Sequence, residues 1–172
     1  MKMLGESRGI ERLRTIREDY RAEIGGYEMQ ARDCTRCDTP GACCLDAHFV
    51  NVRISRLETA AIKKAIGGLN TIEQKRVYER VTNAIEKYRL FDDSHEKFAC
   101  PLFEKGIGCL VHSTAKPLPC IQHACYERRE DLPPEELLER AEEKVNRLNL
   151  RVYGKASVLV PLPIAVKNLK AN

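Results

Sequence analysis

The chain has 172 residues, of which 31% are charged and 43% hydrophobic, and its formal net charge is +4. This composition is typical of a globular protein and predicts a single domain over residues 1–172. Acidic residues are interspersed with basic ones along most of the predicted helices, and no basic stretch is interleaved with aromatic residues. We therefore expect no nucleic-acid partner.

Hydropathy argues against both a secretory signal and a membrane helix. The N-terminal residues MKMLGESRGIERLRTIRE contain no apolar segment of the kind that a secretory signal needs. The longest apolar run, residues 158–166, is interrupted by Pro161 and Pro163, whereas a membrane helix needs about 20 residues. We therefore expect a cytoplasmic protein that has no membrane partner. In that compartment cysteines are kept reduced, which favours metal binding or catalysis over disulfides.

The first predicted elements are a helix and a short strand. Apolar residues recur every three or four positions over residues 9–30 and predict an amphipathic helix. Gly25 and Gly26 are expected to end or loosen it. Residues 49–54, FVNVRI, alternate with β-branched residues and predict a short strand.

Two helices follow in the middle of the chain. Ser55 and Glu58 form a capping-box signature, which predicts a helix that reaches about Ile66. Thr71 is the expected cap of the next helix, whose apolar stripe predicts that it runs to about Leu90.

The C-terminal third is predicted to contain a short helix, a long helix and a tail. A short helix is expected around residues 118–126. Pro134, followed by two glutamates, suits the start of a helix over residues 134–150. Residues 151–172 form a tail in which apolar residues and prolines suggest an edge strand or an extended arm. The predicted fold is thus mainly α with a minor short-strand component.

All eight cysteines lie in two groups. The first is the run CTRCDTPGACC with Cys34, Cys37, Cys43 and Cys44, and the second contains Cys100, Cys109, Cys120 and Cys125. Thiolates that gather in this way bind soft metals. We therefore expect the helices to pack around two metal-binding cysteine loops, with the metal-binding core over residues 34–126.

The spacing does not choose the metal. Cys34-x2-Cys37 lets two thiolates hold one ion, although it also suits a redox pair. Cys43 and Cys44 are adjacent, so both cannot easily face one single-ion site. Either they bind neighbouring metals, or one is a ligand while the other packs in the protein. The spacings match neither a ferredoxin pattern nor a zinc ribbon. Zinc and an iron–sulfur cluster both remain open, as do one site and two.

The four histidines are secondary candidates. His112 and His123 lie within the second group and are candidates either as metal ligands or as hydrogen-bond donors to sulfur. The donor role or a structural role is favoured, because eight thiols already suffice for one or two four-coordinate sites. His48 and His95 are near cysteines in sequence alone and stay unassigned.

The cysteine pattern resembles the YkgJ-like cysteine-cluster family, described as a zinc- or iron-chelating domain and nicknamed for its CxxCxxCC run. Members carry Cys-Pro, Gly-Cys, six residues, Arg-Pro and two further cysteines. Here the matching elements are Cys100-Pro101, Gly108-Cys109, Lys116-Pro117, Cys120 and Cys125. The resemblance covers residues 34–125.

This resemblance implies a metal site more than an activity. Similar cysteine domains occur fused to flagellin lysine methyltransferases, where an iron–sulfur cluster is implied, so the resemblance favours a 4Fe-4S cluster over zinc. Two departures stand out. The spacer between Cys37 and Cys43 has five residues instead of the usual two, and Lys116 replaces the usual arginine.

Three functions follow from these residues. The first is a metal-binding protein with a structural, electron-transfer or metal-handling role. The second is a metalloenzyme, or an accessory subunit of a protein-modification enzyme, although no phosphate loop, nucleophile elbow or HExxH motif is present. The third is a zinc-stabilised adaptor that binds a protein partner through a helix face or the segment 158–166.

Overall fold

The structure, a computed structural model, describes residues 3–32, 39, 41–45, 51–123, 125–126 and 128–168, with residues 32 and 125 described by their backbone. The chain divides into two compact units. Unit 1 contains Met1–Pro40 and Lys116–Ser157, and unit 2 contains Gly41–Ala115 and Val158–Asn172. The described residues are mainly helical with short strands, which confirms the predicted fold class at this level.

Unit 1 is built on two long antiparallel helices, α1 (Glu6–Glu28) and α6 (Glu135–Tyr153). The hydroxyl of Tyr153 donates to the Glu6 carboxylate at 2.5 Å, and Arg140 pairs with Glu23 at 2.8 Å, which fixes the opposite directions of the two helices. Their shared apolar face contains Leu13, Tyr20, Ile24, Ala141, Val145, Leu148 and Val152.

Smaller elements complete unit 1. Helix α5 (Leu118–Gln122) packs on α1 and α6, and the Tyr20 hydroxyl donates to the Gln122 side chain. Strand β1 (Ala31–Arg32) pairs antiparallel with β5 (Cys125–Tyr126). A 3-10 turn at Arg129–Asp131 precedes α6.

Unit 2 contains four helices and two short sheets in the described part. The helices are α2 (Ala42–Leu45), α3 (Arg56–Gly67), α4 (Thr71–Tyr88) and α7 (Leu162–Asn168). Strand β2 (Arg53–Ile54) pairs with β6 (Val160–Pro161), and β3 (Phe103–Glu104) pairs with β4 (Gly108–Cys109), both antiparallel. Helix α7 packs on α3 and α4.

The predicted capping box at the start of α3 is confirmed. The Ser55 side chain accepts the Glu58 backbone N–H, and the Glu58 carboxylate accepts the Ser55 N–H at 2.9 Å. Helix α4 begins with a second capping box, in which Asn70 and Glu73 are the partners. Thr71, the expected cap, is therefore the first helical residue. Both boxes satisfy N–H groups that a helix start would otherwise leave unpaired.

The segment after α6 differs from the extended arm that its prolines suggest. Residues Leu162–Asn168 form α7, and Pro163 lies in its first turn, where a missing N–H costs little. The residues from Pro161 to Val166 are buried, whereas Val158 and Leu159 are exposed. Arg53 anchors this segment by donating to the Leu159 carbonyl at 2.7 Å.

No helix in the described parts of the chain is both long enough and apolar enough to span a membrane. The first part of the predicted strand FVNVRI lies outside the described residues, and its last two residues form β2.

Candidate metal site

The second cysteine group begins with a tight β-hairpin in unit 2. Strands β3 and β4 pair Phe103 with Cys109 and Glu104 with Gly108. Gly106 and Gly108 have φ values of 84° and 103°, a region that glycine adopts without strain. Because the turn is tight, Cys109 in β4 lies directly beside β3, the strand that begins three residues after Cys100.

The Cys100 thiol lies in a local hydrogen-bonded pocket. The backbone N–H groups of Leu102 and Phe103 donate to its sulfur, and Cys109 and Arg80 are near enough to affect its charge. Burial raises the pKa of this thiol to about 12; the neighbouring Cys109 raises the pKa too, whereas the two amides and Arg80 lower it. Amide donors to sulfur are the outer contacts that commonly support a metal-bound thiolate.

The first cysteine group also reaches this hairpin. The Cys100 N–H donates to the Cys44 carbonyl at 2.6 Å, so the backbone of α2 lies directly against the residue that starts the hairpin. Gly41, which directly precedes α2 and has a φ of 78°, packs against the Phe103 ring of the hairpin. A Cβ at position 41 would lie 1.8 Å from that ring. Glycine is therefore required at position 41, the fourth residue of the five-residue spacer.

Arg80 connects α4 to the same hairpin, and sequence analysis did not identify it. Its Nε donates to the Pro101 carbonyl at 2.8 Å, and its Nη1 donates to the Glu104 carboxylate at 3.2 Å. Its Nη2 is buried and has no hydrogen-bond partner among the described residues. A buried guanidinium N–H beside Cys100 is suited to donate a hydrogen bond to a thiolate or another anion.

The remaining cysteines belong to unit 1. Cys120 lies in α5 and is partly buried, and Cys125 lies in β5 opposite Arg32. Cys34 and Cys37 lie outside the described residues, as does His48. Arg32, the last described residue before the CxxC run, is the residue paired with Cys125 in the β1–β5 ladder.

The two units divide the eight cysteines differently from the two groups that they form in the sequence. Unit 1 contains Cys34, Cys37, Cys120 and Cys125, and unit 2 contains Cys43, Cys44, Cys100 and Cys109. Each unit thus contains four thiols, two from each sequence group. Four is the number of ligands in a structural zinc site and in a cysteine-ligated iron–sulfur cluster.

Within the described residues, no three side chains of His, Cys, Asp or Glu lie close enough together to hold a metal ion. The five cysteines whose side chains are described, namely Cys43, Cys44, Cys100, Cys109 and Cys120, are in no disulfide and are partly buried. His95, His112 and His123 are exposed. The His95 carbonyl accepts the Asn51 amide at 2.9 Å.

Fold and sequence together define a mainly helical protein with cysteines on a hairpin, a helical turn and a short ladder. Comparisons of the chain with protein-family models, with curated proteins and with solved structures gave no match. The resemblance to the cysteine-cluster family therefore rests on the motifs themselves.

Proposed function

We propose that the chain is a metal-binding protein in which the eight cysteines are the ligands. The observation that carries this proposal is the environment of Cys100. Its sulfur accepts two backbone N–H groups beside Cys109, and its backbone is hydrogen-bonded to that of Cys44. This arrangement supplies thiols and sulfur-directed donors in one place, which thiolate coordination uses.

The proposal includes two sites of four thiolates each. The site in unit 2 would use Cys43, Cys44, Cys100 and Cys109, and the site in unit 1 would use the other four cysteines. A bound metal would draw the unit 2 thiolates closer than they lie in the described structure, so we expect metal binding to order the loops that carry them. A 4Fe-4S cluster is the first candidate, because the adjacent Cys43 and Cys44 would bind neighbouring irons of one cluster. Zinc is the second candidate, and there one of these two cysteines would be a ligand while the other packs.

Metal analysis after anaerobic purification tests this function. We expect metal in stoichiometric amount, and for an iron–sulfur cluster also acid-labile sulfide and broad visible absorbance from thiolate-to-iron charge transfer. Colourless protein with stoichiometric zinc would identify zinc as the metal. Protein without metal, in which all eight thiols react freely while the fold remains intact, would contradict the proposal.

Arg80 is expected to support the unit 2 site. Arg80→Gln removes the cation beside Cys100, so we expect metal to dissociate about 10 to 100 times more readily, as when other outer contacts of metal sites are lost. Competition with a chelator measures this affinity. Arg80→Lys should retain more of it, because the charge remains.

Arg76→Gln is the matched control. Arg76 also pairs with Glu104, at 3.1 Å, and lies one turn before Arg80 on α4. If Arg76→Gln and Arg80→Gln weakened metal binding equally, the loss of affinity would come from the disturbed Glu104 carboxylate. The proposal that Arg80 supports the site directly would then be wrong.

A further inference from the structure

A basic groove with a volume of about 480 Å³ lies on the surface of unit 1 between α1 and α6. Four cationic side chains line it, namely Arg12, Lys144, Arg147 and Arg151. The remaining lining comes from Thr15, Ile16 and Leu148. This volume falls within the range of small-molecule binding sites, roughly 300–1,000 Å³.

The helical geometry explains why these charges gather. Lys144, Arg147 and Arg151 are spaced by three and four residues, so they share one face of α6 over about 10 Å. Arg12 adds a cation from α1. In the sequence, acidic and basic residues are interspersed along α6, with Glu142 and Glu143 directly before Lys144, a pattern that indicates a solvated helix face. The antiparallel packing turns one basic row of α6 towards the basic residue of α1.

Few carboxylates balance this charge. Arg147 pairs with Glu143 at 3.3 Å, but the two side chains are 66% and 63% exposed. The pair is therefore weak, and Arg147 can readily leave it to bind another anion. The side chains of Arg12, Lys144 and Arg151 form no ion pair within the part of the chain that the structure describes. A bound anion would relieve the repulsion among these like charges.

The shape and lining of the groove favour a small ligand over a polymer. Beyond Lys144, the next cation on this row is Arg140, which is paired with Glu23 at 2.8 Å, and α6 ends at Tyr153. The row of available charge is therefore short. Ile16 and the buried Leu148 add an apolar surface, on which an organic group can rest.

We propose that this groove binds a small organic anion that carries two or three phosphate groups, such as a nucleoside di- or triphosphate. The cations would bind the phosphates through charge-assisted hydrogen bonds, and Ile16 and Leu148 would contact the organic part. This site is independent of the cysteines, and the proposal stands whether or not they bind metal.

Isothermal titration of the purified full chain with ATP, pyrophosphate and adenosine tests the proposal. We expect saturable binding of ATP with one ligand per chain, weaker binding of pyrophosphate and still weaker binding of adenosine. Arg147→Gln with Arg151→Gln should weaken ATP binding by roughly 100-fold, about tenfold for each lost cation. Metal content is measured before and after, because phosphates chelate metal.

The double variant Arg14→Gln with Arg140→Gln is the matched control. It removes the same number of charges from the two helices that form the groove, at positions that do not line it, and we expect its affinity for ATP to be unchanged. The proposal is overturned by an absence of saturable ATP binding, by equal losses in the two double variants, or by binding of single-stranded DNA in preference to ATP. Circular dichroism verifies that each variant is folded.

Discussion

Cys109→Ser is expected to remove about half of the bound metal from the protein and to leave the other half in place. The physical reason is the division of the cysteines: Cys109 belongs to unit 2, whereas Cys120 belongs to unit 1. A serine hydroxyl at position 109 cannot replace a thiolate as a ligand to soft metals. Cys120→Ser should remove the other half, and the double variant should remove nearly all.

Metal analysis and thermal unfolding of the three variants measure this effect. Because metal binding contributes directly to folding in such sites, each single variant should also unfold at a lower temperature. Chelator treatment should lower that temperature further, because it removes the metal of the intact site, whereas it should have little effect on the double variant. Loss of all metal from either single variant would contradict two separate sites. Unchanged metal in a variant would remove that cysteine from the ligands.

Gly41→Ala is expected to destabilise unit 2 by about 3 kcal/mol. The positive φ of Gly41 costs any residue with a side chain about 1 kcal/mol, and a Cβ 1.8 Å from the Phe103 ring adds about 1–3 kcal/mol of overpacking. Either the ring or the backbone at position 41 must then shift, and we expect that shift to loosen the contact between α2 and the hairpin. Metal affinity should therefore fall together with the free energy of unfolding.

Chemical denaturation measures this change, and Gly106→Ala provides its control. Gly106 has a similar φ of 84°, but a Cβ there would meet no atom within 4 Å, so this variant reports the backbone cost alone. Phe103→Leu should recover part of the stability of Gly41→Ala, because the shorter side chain frees space. If Gly41→Ala and Gly106→Ala lost the same stability, the ring contact would have no energetic role.

Local signals in the sequence predicted local structure well. The Ser55–Glu58 box starts α3 as expected because both partners lie within one turn. The two glycines near the end of α1 were less informative. The helix continues to Glu28, since the apolar face that it buries against α6 outweighs a glycine cost of about 1 kcal/mol each.

Features that depend on tertiary packing could not be predicted from the sequence. Arg80 lies 20 residues before Cys100, and no motif connects them. The division of the cysteines into four and four is hidden as well, because each sequence group contributes to both units. The basic groove is hidden in the same way, since Arg12 and the three basic residues of α6 lie near opposite ends of the sequence and come together when α1 packs against α6.

The order in which the chain is made has a consequence for unit 2. Its hairpin and α2 lie within Gly41–Ala115, but α7, which packs on α3 and α4, belongs to the segment that starts at Val158. During synthesis the ribosome therefore completes all of α6 before α7 emerges. The cysteines of unit 2 are thus synthesised before α7 covers α3 and α4, and during that interval they would be accessible to metal donors and oxidants.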